Sequence, residues 1–84
     1  MNTNEMLEIL LELPRYGVRN DVIAGKEVHK IFGGRDPQNH IVQEMYGAIR
    51  RLHDMGVIRA HWVKDPPPGG YHAMSITILK KDLL

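Results

Sequence analysis

Apolar residues recur with a helical period in three stretches of the chain and alternate in two others. The longest periodic run is Asp36 to Ile58, DPQNHIVQEMYGAIRRLHDMGVI. At about 100° per residue, Ile41, Val42, Met45, Ala48, Ile49, Leu52 and Met55 fall on one arc, which predicts a core-facing stripe. The opposite arc has Asn39, Gln43 and Arg50 at its centre, flanked by His40, Glu44, Tyr46, Gly47, Arg51, His53 and Asp54. Asp36 can accept from the free N–H groups of a first turn, and Pro37 fits the first helical position. Gly56 suits a left-handed stop, so the helix is predicted over residues 37–55.

Before it, Asn2 or Thr3 can cap a helix that runs to about Leu13, ahead of Pro14. Its glutamates Glu5, Glu8 and Glu12 form a narrow stripe, while Met6, Leu7, Ile9, Leu10, Leu11 and Leu13 cover roughly 200° of the circumference. That is more than one core face needs. Either a small core encloses the helix on two sides, or Leu7 and Leu11 meet a second subunit. Pro14 to Asn20 reads as a loop, and Val22-Ile23 within Asp21 to Ala24 as a short edge strand. Val28, Ile31 and Phe32 suit a short helix over Gly25 to Phe32, which Gly33-Gly34 would end and join to the long helix by a tight turn.

After the long helix, Ile58 to Lys64 alternates, with Ile58, Ala60 and Trp62 on one side and Arg59, His61 and Val63 on the other. Tyr71 to Leu79 alternates again through Met74, Ile76 and Ile78, and Asp65-Pro-Pro-Pro-Gly-Gly70 between them is a stiff turn. The two segments are expected to form a hairpin. Both apolar sets must face one core, so Ile58 should pair with Ile78, Ala60 with Ile76 and Trp62 with Met74. The last residues, Lys80 to Leu84, form a tail that can either fray or pack through Leu83 and Leu84.

Composition narrows the chemistry. At 84 residues the chain is expected to form one domain, residues 1–84. There is no cysteine, hence no disulfide and no thiolate ligand or nucleophile, as fits a reducing cytoplasm. No apolar run approaches the ~18–20 residues of a membrane span, and the N-terminus lacks the pattern of a signal peptide. The formal net charge is +1, a weak pull on a polyanion by itself. Residues 1–33 hold four cationic side chains against five carboxylates, while residues 34–84 hold seven against five. Basic character therefore sits with the long helix and the hairpin and tail beyond it.

The five histidines, His29, His40, His53, His61 and His72, include no pair at metal-ligand spacing on a helix or strand. Asp54 beside His53, or Ser75 near His61, lacks a third orienting group, and Gly33-Gly34 lacks the flanking pattern of a phosphate loop. No enzyme, metal or cofactor is expected. Gly47 inside the long helix costs about 1 kcal/mol relative to alanine. It either permits close approach of a partner or is a neutral replacement.

Helix, short strand, short helix, turn, long helix and hairpin together make an α+β chain that resembles a winged helix-turn-helix domain over roughly Thr3 to Leu79. The run Ala48-Ile-Arg-Arg-Leu-His-Asp-Met-Gly-Val-Ile58 looks like the end of a recognition helix entering the first wing strand. The resemblance implies that helix 37–55 lies in the major groove of double-stranded DNA, its N-terminal part reaching bases. Gln38, Asn39, Gln43 and Tyr46 would then contact base edges, and amide side chains are suited to adenine. Arg35, His40, Arg50 and Arg51, with Lys64 and His72 of the wing, would take phosphates. Two features depart from a strongly basic winged helix: Asp65 and three prolines at the wing tip, and Glu44 within the DNA face.

The expected function is sequence-specific duplex binding by a small transcriptional regulator or a phage- or plasmid-type accessory factor. A homodimer is expected, because one domain with few phosphate contacts binds weakly; Leu7, Leu11, Leu83 and Leu84 are the contacts foreseen. The alternative is a winged-helix module that binds a protein partner and no DNA. Glu44 and the acidic wing tip favour that alternative, while Asn39, Gln43, Arg50 and Arg51 oppose it.

Overall fold

A computed structural model describes residues 1–36, 38–62 and 74–80, and of Trp62 and Met74 the backbone alone. Helix α1 covers Thr3–Glu12. The side chain of Asn2 caps it, its Oδ1 accepting from the Glu5 N–H at 2.8 Å, while Asn2 Nδ2 donates back to the Glu5 carboxylate. Met6, Leu7 and Leu10 are buried. Of the two arrangements open to this helix, Leu7 therefore takes the enclosed one, being only 2% exposed within a single chain.

The loop after α1 folds back on itself. Tyr16 and Val22 exchange both backbone hydrogen bonds, at 2.8 and 3.1 Å, closing a turn over Gly17 and Asn20, both at positive φ. Strand β1 is Val22–Ile23 and helix α2 is Gly25–Lys30. The tight glycine turn expected between the two helices is longer than foreseen, running from Ile31 to Asn39. Phe32, Gly33 and Arg35 each donate to the carbonyl three residues back. These successive tight turns, with Gly33 and Gly34 at positive φ, take the chain away from α2 before α3 begins.

Helix α3 is His40–Asp54, so the start foreseen at Asp36-Pro37 is corrected by three residues. Asp36 does not cap it: its Oδ1 accepts from the Gln38 N–H at 2.7 Å, and its carbonyl accepts from Asn39 N–H at 2.9 Å, which makes a turn. Asn39 is the cap, its Oδ1 taking the Ile41 N–H at 2.9 Å. Pro37 lies outside the described residues. At the other end Gly56, at φ +75°, donates to His53 O and Val57 donates to Leu52 O. That pair of bonds is a Schellman stop, which needs a left-handed residue at the Gly56 position.

Strands β2, Ile58–Trp62, and β3, Met74–Ile78, form the C-terminal hairpin. Ile58 pairs with Ile78, Ala60 with Ile76 and Trp62 with Met74, the register that burial demands. The sheet order is β1-β3-β2, all antiparallel, so β1 is the edge strand expected. Three helices and a three-stranded antiparallel sheet with a C-terminal hairpin make this the α+β fold expected. One buried cluster, including Leu10, Ile23, Val28, Phe32, Ile49, Ile58 and Ile76, joins all six elements. Among the described residues no polar or charged residue is buried as a whole, although the His29 Nε2 and Tyr46 hydroxyl atoms are shielded from solvent.

Candidate nucleic-acid interface

Helix α3 presents the longest polar surface, and its register follows from what it buries. Val42, Met45, Ala48, Ile49 and Leu52 fill the core, which turns His40, Gln43, Glu44, Arg50, Arg51 and Asp54 outward, all exposed. The late start of α3 moves two of the expected base contacts off the helix. Gln38 lies in the preceding turn, exposed, and half-buried Asn39 has its side-chain oxygen committed to the cap. Of the four residues foreseen at base edges, Gln43 alone stands exposed on α3 itself.

Tyr46 goes elsewhere. Its ring stacks on Phe32, with centroids 4.9 Å apart and planes 29° from parallel, and the residue is half-buried. Phe32 is wholly buried in the turn after α2 and meets His29 edge-on at 6.3 Å. The aromatic foreseen beside the bases thus joins α3 to the turn after α2.

Among the expected phosphate contacts, Arg35 folds back on its own turn, Nη1 donating to Phe32 O at 3.2 Å. Arg51 donates through Nη2 to the Met1 carbonyl at 3.1 Å, which ties α3 to the start of the chain. Arg50 is exposed and without a side-chain partner among the described residues. Lys64 and His72 lie outside the described residues, as do Leu83 and Leu84 and the stretch Asp65–Gly70 for which a stiff turn is expected. Leu11 is half-buried at the edge of the core and keeps some surface for a partner; Leu7 keeps almost none.

His40, Gln43 and Arg51 do come together. With Met1, Glu44 and Gly47 they line an open hollow of ≈ 530 Å³ between α3 and the N-terminus. The missing side chain of Gly47 leaves this hollow open, though a Cβ there would meet Arg51 Nη1 at 3.5 Å, an ordinary contact. Its electrostatics are mixed, since Glu44 stands among the cations. Over the whole exposed face of α3, Glu44 and Asp54 offset Arg50 and Arg51.

The end of α3 is held to the sheet by His53, whose Nδ1 accepts from the Ala60 N–H at 3.2 Å. Ala60 is on β2, whose outer edge has no neighbouring strand among the described residues, so the imidazole satisfies an amide that the ladder leaves out. On the sheet, Arg59 and His61 are exposed, and His61 Nε2 lies 3.4 Å from Thr77 Oγ1. Neither was among the contacts foreseen, although their alternation with Ile58 and Ala60 already put them on the outer face.

Among the described residues no three of His, Asp and Glu approach closely enough to hold a metal ion, and no helix is long and apolar enough to cross a membrane. No family model, curated protein or solved structure matches the chain.

Proposed function

We propose that the chain is a member of the winged helix-turn-helix superfamily that binds double-stranded DNA through α3. One observation carries this reading: the element order and the β1-β3-β2 sheet bury one face of α3 and leave its amide- and arginine-bearing face open. Gln43 is the residue assigned to a base edge, with Gln38 entering from the preceding turn. Arg50 and His40 take phosphates, and Arg51 joins them by releasing its bond to the Met1 carbonyl. Binding as a homodimer raises the number of phosphate contacts, and half-buried Leu11 offers the apolar surface for it. A role as a small transcriptional regulator or accessory factor accords with such binding.

The test is binding of the full chain to mixed-sequence duplex DNA at low and moderate salt. Absence of binding at high micromolar protein, even at low salt, sinks the proposal. Where binding occurs, Arg50→Ala weakens it across all sequences and lowers the salt slope by about 1, while Gln43→Ala relaxes preference at one base position. Equal effects from both would contradict the assigned roles. A specific observation favours a second reading, a protein-binding module: the carboxylates Glu44 and Asp54 balance Arg50 and Arg51 on the exposed face. Under that reading duplex DNA is not bound at any salt concentration.

A further inference from the structure

The outer face of the sheet carries a second arrangement, independent of α3. Directly paired residues share a sheet face, so Tyr16, Val22, Thr77 and Arg59 form one continuous row across it. Ser75 and His61 belong to the next row. The alternate residues Ile23, Ile58, Ala60, Ile76 and Ile78 go into the core. At about 4.8 Å between strands, the first row spans roughly 14 Å.

The chemistry of this face differs from that of α3. Tyr16 is 56% exposed at one end, and Arg59 and His61 are exposed at the other. Half-buried Thr77 and Ser75 add hydroxyls between them. Neither row holds an Asp or Glu; Asp21, the chain neighbour of Val22, has its carboxylate beside the Gly17 turn. An exposed aromatic at one end of a surface with the Arg59 guanidinium and the His61 imidazole at the other matches the two needs of an unpaired nucleotide strand: a ring for a base to stack on, and positive charge and hydrogen-bond donors for the backbone. A duplex uses its base faces on one another and has none to offer the ring.

We propose that the outer sheet face binds single-stranded nucleic acid, with Tyr16 stacking on a base and Arg59 and His61 taking phosphates further along the strand. The site is separate from the α3 surface and does not depend on duplex binding there. The test is titration of the isotope-labelled full chain with a short oligothymidylate at low salt, monitored by amide chemical shifts. The expected shifts fall on Tyr16, Val22, Arg59, His61 and Thr77, with α3 quiet. In fluorescence anisotropy, Tyr16→Ala and Arg59→Gln each weaken binding about fivefold or more, Tyr16→Phe keeps it, and Arg50→Gln leaves it unchanged. Arg59 is exposed, so its replacement carries the test even where Tyr16→Ala disturbs the loop.

No binding at several hundred micromolar protein overturns the proposal. So do shifts confined to His40–Asp54 with weakening by Arg50→Gln, which would put the strand on α3. A parallel titration with duplex separates the two surfaces. Loss of duplex binding with retained oligothymidylate binding would sink the α3 reading alone, and the reverse would sink this one alone.

Discussion

The identity of the residue that starts α3 decides which side chains the helix can present, and it is measurable as stability. Asn39→Ala removes the acceptor for the Ile41 N–H, now held at 2.9 Å. Loss of an N-cap of this kind costs about 1 kcal/mol, within a range of about 0.5–2. A domain of 84 residues has about 4–13 kcal/mol to lose. The variant stays folded, and its Tm falls by about 4–8 °C. Asp36→Ala removes an exposed turn bond, the 2.7 Å contact to the Gln38 N–H. Water replaces that contact readily, so the change stays within about 0.5 kcal/mol. Asn39→Asp keeps an acceptor at the cap and places a negative charge at the helix N-terminus, leaving stability within a few tenths of a kcal/mol or raising it. Urea unfolding monitored by far-UV circular dichroism measures all three, with the amide exchange rate of Ile41 as a local readout. If Asp36→Ala costs as much as Asn39→Ala, the helix starts at the proline and the cap assignment is wrong.

Three further outcomes rest on the packing. Gly47→Ala stabilises by up to about 1 kcal/mol, because the helix gains propensity and the new Cβ meets only Arg51 Nη1 at 3.5 Å; Gly56→Ala destabilises by about 1–2 kcal/mol through its φ of +75°, although the space around it is open. Thermal melts of the pair should therefore move in opposite directions, and the same direction for both would contradict the assigned causes. His53→Ala leaves the Ala60 N–H to water at the sheet edge, costing about 0.5–1.5 kcal/mol and speeding exchange of that amide ahead of its ladder neighbours; unchanged exchange would mean that the imidazole does not hold the strand. Phe32→Ala empties a fully buried ring site that Tyr46 stacks on and costs about 3–5 kcal/mol, enough to unfold much of a domain this size in mild urea; a loss under about 1 kcal/mol in equilibrium unfolding would refute the central place given to that ring.

Where burial decided the structure, the sequence was legible; where polar groups competed for the same backbone, it was not. Ile58, Ala60, Ile76 and Ile78 have one register that sends all four inward, and the hairpin adopts it. The core face of α3 emerges from Val42, Met45, Ala48, Ile49 and Leu52 in the same way. At the start of that helix, Asp36 and Asn39 are equally good caps in composition. Gln38, Asn39 and His40 offer the core nothing, and helix stability comes mainly from burying an apolar face. The cap next to Ile41, the first apolar residue, therefore prevails. The place of Tyr46 is hidden for a different reason: its partner Phe32 lies on another element, and no period within α3 reports it. The row Tyr16, Val22, Thr77 and Arg59 is equally non-local, since it exists only because β3 pairs with both β1 and β2. Electrostatics then divides the surface. Glu44 and Asp54 weaken the attraction of α3 for a phosphate backbone, so any sequence preference there must come from Gln43 and shape more than from charge. The sheet rows lack a carboxylate and have the exposed ring, so their attraction is for strand chemistry without regard to sequence. Two surfaces with opposed balances of charge and hydrogen bonding would let one small domain hold a duplex by one face and an unpaired strand by the other.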